Sequence, residues 1–134
     1  MQPTVTLEPD LQARIEALAV ATHSTPAQVV RELIVEALKT RECPGIVLAD
    51  GPAGRRAVIA GSGIDVWAVA EVWRDGRPGF ECLRRSFDLL TEPQLRAALG
   101  YYERCPAEID EWIARNAAVA QELERTRPPW FKPL

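Results

Sequence analysis

The chain has 134 residues, 47% of them hydrophobic and 26% charged, with a net charge of −3 at pH 7. That length holds one ordinary domain or two very small ones, and the composition is that of a globular protein. It excludes a nucleic-acid binder recognised by bulk basicity, and no apolar run approaches the roughly 20 residues of a membrane helix, so a cytoplasmic chain without membrane contact is expected. Met1-Gln2-Pro3-Thr4 shows no basic stretch leading into an apolar one, so no secretory signal is expected. The three cysteines, Cys43, Cys82 and Cys105, are odd in number and widely spaced. They suggest neither a disulfide framework nor a metal site, and reduced thiols are expected.

In chain order, Val5 and Leu7 alternate with Thr4, Thr6 and Glu8 across residues 2–8, which is a strand period with one apolar face. Pro3 confines such a strand to an edge or a short ribbon. From Pro9-Asp10 the period becomes helical through Leu11, Ile15, Leu18 and Thr22, and His23-Ser24 breaks it. Thr25-Pro26-Ala27-Gln28 then combines a threonine N-cap, proline at the first helical position and glutamine three residues past the cap. Val29, Val30, Leu33, Ile34, Ala37 and Leu38 form a broad apolar stripe ending near Glu42, where Cys43-Pro44-Gly45 stops the helix. A lone strand leaves its backbone groups unpaired, and two helices cannot cover their own stripes. A two-fold dimer with the strands paired antiparallel is the economical solution.

Two apolar runs, Ile46–Ala49 and Arg55–Ala60, flank a Gly/Pro-rich turn and predict a β-hairpin. Gly61-Ser62-Gly63 follows, and Asp65 is placed to cap a helix carrying Val66, Trp67, Val69, Ala70 and Trp73, stopped at Asp75-Gly76. A short helix with Phe80, Leu83 and Phe87 comes next. Thr91-Glu92-Pro93-Gln94 is a second capping box, opening a helix with Leu95, Ala98, Leu99 and Tyr102. After Cys105-Pro106 a last helix carries Ile109, Trp112, Ile113, Ala117, Ala120 and Leu123, with Trp67, Trp73 and Trp112 expected in the core. The three prolines within 127–134 exclude a regular helix or central strand there. The expected fold is mainly α, with domains at 1–43 and 44–126 and a Pro/aromatic tail at 127–134.

Four places carry candidate chemistry. By strand parity Gln2, Thr4 and Thr6 point outward; a two-stranded ribbon can enter a major groove, where glutamine pairs with adenine and threonine meets either donors or a thymine methyl. The alternative is a solvated strand in a plain dimer. Ser24, Thr25 and the backbone N–H groups behind them form a helix start that can hold a phosphate; an ordinary N-cap explains the same residues. Trp130 and Phe131, flanked by prolines and by Arg127 and Lys132, can lie extended in a partner's groove; the alternative is that Trp130 folds back on its own domain. Arg55, Arg56, Arg74, Arg77, Arg84, Arg85 and Arg96 surround a helix–turn–helix-like pair, open to reading as a second DNA surface, as a dimerisation domain or as a solvated face. Catalysis has little to stand on: His23 is the single histidine and sits in a turn, and Gly61-Ser62-Gly63 is too short for a phosphate loop. No enzyme, cofactor or metal is expected.

Residues 4–42, through Val5-Thr6-Leu7, Pro9-Asp10-Leu11 and the run from Thr25 to Leu38, resemble the ribbon-helix-helix domains of bacterial repressors and antitoxins. That resemblance implies an intertwined homodimer, base contacts from Gln2, Thr4 and Thr6, and phosphate contacts from Ser24 and Thr25. Residues 46–113 resemble a small bacterial domain of formerly unknown function found in antitoxins paired with PIN-like ribonuclease toxins. The matching residues are Ile59-Ala60-Gly61-Ser62-Gly63-Ile64-Asp65-Val66-Trp67, Phe87–Thr91 and Leu95–Tyr102, with Pro106 and Ile109-Asp110 beyond. The pair together resembles VapB-type antitoxins. The implied function is repression of the chain's own operon through operator DNA and neutralisation of a PIN-like toxin, with Arg127, Trp130, Phe131 and Lys132 as toxin contacts. The alternatives are a ribbon-helix-helix transcriptional regulator without a toxin partner, and a toxin-binding protein that has lost DNA binding. Residues 1–42 hold four basic side chains against six acidic ones, whereas phosphate neutralisation supplies much of any affinity for DNA.

Overall fold

The structure is a computed structural model that describes residues 2–75 and 79–130. Its elements are α1 (Pro9–Ala21), α2 (Pro26–Glu42), β1 (Ile46–Ala49), β2 (Arg56–Ile59), α3 (Val66–Asp75), α4 (Phe80–Ser86), α5 (Glu92–Arg104) and α6 (Pro106–Thr126). They fall into two compact units, residues 1–42 and 43–134. The protein is mainly helical with one small hairpin, and no helix among the described residues is long and apolar enough to cross a membrane.

In the first unit both helices start as their sequences require. Proline opens each one. At α2 the Thr25 hydroxyl accepts from the Gln28 backbone N–H, while the Gln28 side chain accepts from the Thr25 N–H, both at 3.2 Å. The packing is thin. Ile15, Ala19 and Val29 form the buried cluster, with Leu7 and Val30 half-covered against it. Of the stripe expected on α2, Val29 alone is buried; Leu33, Ile34 and Leu38 face solvent, as do Leu11 and Leu18 of α1. Residues 2–8 form no strand within the chain. Strand assignment needs a partner for the backbone groups, and a single copy supplies none to residues 2–7 among the described hydrogen bonds.

The second unit has a real core. The strands pair antiparallel with Ile46 opposite Ile59 and Val47 opposite Val58, and Ile46 and Ile59 turn inward onto Val66, Val69, Leu83, Leu95, Tyr101 and Ile109. Gly45 lets the chain enter β1: its φ is +92°, and a Cβ there would sit 3.3 Å from the Cβ of Ala97 on α5. The Gly61-Ser62-Gly63 segment is a tight turn. Both glycines have positive φ, the Ser62 hydroxyl donates to Ile59 O at 2.8 Å, and the same hydroxyl accepts from Ile64 N at 3.0 Å. The expected capping box at Thr91 and Gln94 is present in full.

Three expectations are corrected. Tyr101, not Tyr102, is the buried tyrosine of α5, because Leu95, Ala98 and Tyr101 share the inward face. Trp73 is exposed, while Trp67 and Trp112 are half-buried. Only Ile109 and Ile113 of α6 are buried; Ala117, Ala120 and Leu123 lie on a stretch, residues 114–126, that is exposed throughout. The first two turns of α6 meet the core, and the helix then runs past it.

Candidate functional site: an exposed N-terminal segment and a C-terminal helix face

Along the N-terminal segment Gln2, Thr4 and Thr6 are all exposed. Leu7 turns toward the α1–α2 cluster, but Val5, two residues away on the same strand face, is 78% exposed. Ser24 and Thr25 sit in the turn between α1 and α2, where His23 takes a positive φ of 54°. Their hydroxyls have local work: Thr25 caps α2, and Ser24 meets the Thr22 hydroxyl at 2.9 Å. Since Thr22 donates its own proton to Leu18 O at 2.8 Å, Ser24 is the donor in that pair. The shallow groove of this unit, about 290 Å³, is lined by Leu7, Gln12, Ile15, Glu16, Pro26, Ala27 and Val30, so none of the five predicted DNA-contacting residues lines it.

The arginines of the second unit are largely spent on acids of their own chain. Arg55 holds Asp50 at 3.1 Å, Arg74 lies 3.5 Å from Asp110, and Arg84 lies 3.8 Å from Glu81. Arg96 pairs with Glu92 at 2.8 Å while its guanidinium covers the Phe80 ring at 4.8 Å. Arg77 lies outside the described residues.

One node was missed by sequence reasoning. Arg56 Nε donates to Asp65 Oδ1 at 2.9 Å, and Trp67 Nε1 donates to Asp65 Oδ2 at 2.9 Å. Asp65, expected as a helix cap, stands immediately before α3, and its carboxylate also ties β2 to the first turn of that helix. The signal available was an acid two residues before a tryptophan, which is too common to act on. The node floors an open groove of about 570 Å³, walled by Pro52 and Ala53 of the hairpin loop, by Trp67 and Trp112, and by Ala118 and Val119 of α6. Tyr101 donates to Glu108 at 2.5 Å. Burial, then that carboxylate, pushes its pKa well above the usual tyrosine value. Tyr102 donates to Asp110 at 2.6 Å, and that bond raises its pKa as well.

At the C-terminal end Arg127 pairs with Glu124 at 3.1 Å, and Trp130 is 78% exposed, so it does not fold back among the described residues. Phe131 and Lys132 lie outside the described residues. Val119 and Leu123 are 58% and 66% exposed. Among the described residues no cluster of three or more His, Cys, Asp or Glu side chains is placed to hold a metal.

No curated protein and no solved structure matches the chain. Residues 46–102, less than half of the chain, match the sequence profile of a family described as "Protein of unknown function (DUF433)", from β1 to Tyr102 of α5, with α1, α2 and α6 outside the match.

Proposed function

We propose that the chain is an antitoxin: two copies join through residues 1–42, the joined strands read operator DNA, and the C-terminal half holds a PIN-like ribonuclease toxin. The observation that carries this reading is the bare first unit. Val5, Leu11, Leu18, Val20, Leu33, Ile34, Val35 and Leu38 are all exposed there, against a buried cluster of Ile15, Ala19 and Val29. A unit of this size cannot hold together on three buried side chains, and eight exposed large apolar side chains in some forty residues point to an interface. A second copy provides the missing half: antiparallel pairing of residues 3–8 satisfies their backbone groups and covers Val5. Gln2, Thr4 and Thr6 then face away from the helices as base readers, and the Ser24–Thr25 helix start lies at hand for phosphate. Arg127, Trp130, Phe131 and Lys132 provide the toxin contacts, consistent with the exposure of Trp130. Membership of residues 46–102 in an uncharacterised family accords with this reading without requiring it.

The test is a binding titration of the purified chain on its own promoter DNA at several salt concentrations, together with co-purification of a neighbouring PIN-like protein. Affinity that falls steeply with salt is expected where phosphates are engaged. A second reading, a toxin-binding dimer without DNA affinity, is favoured by the acidic balance of residues 1–42. It predicts no operator binding at any salt with toxin capture intact. Loss of both activities would exclude the antitoxin reading.

A further inference from the structure

The groove between the hairpin loop and α6 combines apolar walls with hydrogen-bond donors that the chain leaves unspent. Arg56 is among its lining residues. The guanidinium is held on two sides, Nε donating to Asp65 Oδ1 at 2.9 Å and Nη1 to Asp50 O at 2.8 Å. Gly51 allows this close approach, since a Cβ there would lie 2.5 Å from Nη1. The Nη2 nitrogen carries its own pair of N–H donors, and it has no partner among the described residues. On α6 the Trp112 indole N–H also lacks an acceptor among the described residues; the ring's one recorded contact is the Arg115 guanidinium at 4.9 Å. One turn further on, the exposed Asn116 amide has no partner among them either. Arg56 and Trp112 are half-buried, yet no buried side-chain nitrogen or oxygen among the described residues is left without a partner. Arg56 Nη2 and Trp112 Nε1 are therefore open to solvent.

These groups define the chemistry of a ligand. A guanidinium and an indole N–H donate and cannot accept, and the Asn116 amide can turn its nitrogen toward the same point. The ligand must therefore bring acceptors. Asp65, the acid in the lining, has both oxygens engaged, with Arg56 and with Trp67, so it offers nothing to a ligand's donor. Arg115 is committed to Glu111 at 3.0 Å. The unspent donor on the cationic Arg56 favours an ionised acceptor, because charge-assisted bonds are roughly twice as strong as neutral ones. The rest of the lining is apolar: Trp67, Trp112, Pro52 and Val119. Indole faces and edges pack best on another aromatic ring. The volume of about 570 Å³ falls within the roughly 300–1,000 Å³ usual for small-ligand sites. We propose that this groove binds a small aromatic carboxylate. Its ring packs against Trp67 and Trp112, and its acid takes the Arg56 Nη2 and Trp112 donors, with Asn116 closing the rim. The first unit takes no part, so binding is independent of the antitoxin reading.

The experiment uses the full chain, isotopically labelled on nitrogen and titrated with naphthylacetate while the side-chain N–H resonances of the four tryptophans are followed by NMR. Trp112→Phe identifies the Trp112 resonance. That resonance should move saturably with the acid, and the resonance of the exposed Trp130 should stay in place. Naphthylacetamide has the same ring without the charge and should bind about 10-fold more weakly or worse. Asn116→Asp sets a like charge at the rim. It should weaken the acid about 10-fold and leave the amide within about twofold. Position 116 is exposed, so the fold is retained, and circular dichroism checks it. Trp112→Phe keeps a ring but loses the N–H, and should weaken the acid about threefold or more, read from Trp67. No saturable movement of Trp112 up to about 5 mM acid would overturn the site. So would equal affinity for acid and amide, or indifference of the acid to Asn116→Asp. Binding of a peptide with a C-terminal phenylalanine where the free acid fails would overturn it too, and would make the groove a docking surface for protein.

Discussion

Arg56 on β2 and Asp65 at the head of α3 form a 2.9 Å ion pair that closes the loop between hairpin and helix. Both side chains are about a quarter exposed or less, so the pair is neither fully screened nor fully desolvated. The second carboxylate oxygen holds the Trp67 indole, so Asp65 ties Arg56 and Trp67 together at the floor of the groove beside α6.

Asp65→Ala should destabilise the second unit by about 2 kcal/mol, below the full cost of breaking a buried pair because water reaches the site. Asp65→Asn keeps an acceptor for Trp67 and should cost about half as much. Urea unfolding followed by tryptophan fluorescence measures both; a loss under about 0.5 kcal/mol for Asp65→Ala would reduce the node to a surface contact.

Gly45→Ala should cost about 1–2 kcal/mol. It places a side chain at φ +92° and presses a Cβ to 3.3 Å from Ala97. Gly54, also at positive φ but with open space around it, should lose less on the same substitution. Equal losses would show that the approach to α5 is immaterial.

Tyr101 predicts the alkaline limit of the fold. Its pKa is raised in the folded chain, so above about pH 10 the unfolded chain releases a proton that the folded chain keeps. The folded state then binds more protons, and stability falls as pH rises, by up to about 1.4 kcal/mol per pH unit; below that range the contribution is fully present. Tyr101→Phe should lower stability modestly at neutral pH through loss of the Glu108 bond and flatten the decline between pH 10 and 11. An unchanged alkaline slope would assign the limit to another group.

The first unit should melt at a temperature that rises with protein concentration, as expected when folding and association are linked. Val5→Asp should abolish that dependence by placing a charge on the face left bare in one chain. A midpoint constant over a hundredfold dilution of the wild-type chain would mean that residues 1–42 fold alone.

Removing residues 127–134 should release a bound toxin and leave promoter binding within about threefold. Retained neutralisation by the truncated chain would move the toxin contact elsewhere.

Local chemistry was legible in the sequence. The two Thr-Pro/Gln and Thr-Glu-Pro-Gln starts, the stop at Cys43-Pro44-Gly45 and the hairpin at 46–59 are set by residues within a turn of one another, and caps and turns need no distant partner. What only the tertiary structure decided was which apolar residues find cover. Periodicity put Leu33, Leu38 and Leu123 on apolar faces just as it put Leu95 and Ile109 there, yet only the last two are buried. It could not foresee that Tyr101 would take the inward position beside Tyr102, or that the Asp65 carboxylate would be drawn to Arg56 and Trp67. Hydrophobic spacing defines a face, but burial depends on whether another element arrives against it, and that is a property of the whole packed chain.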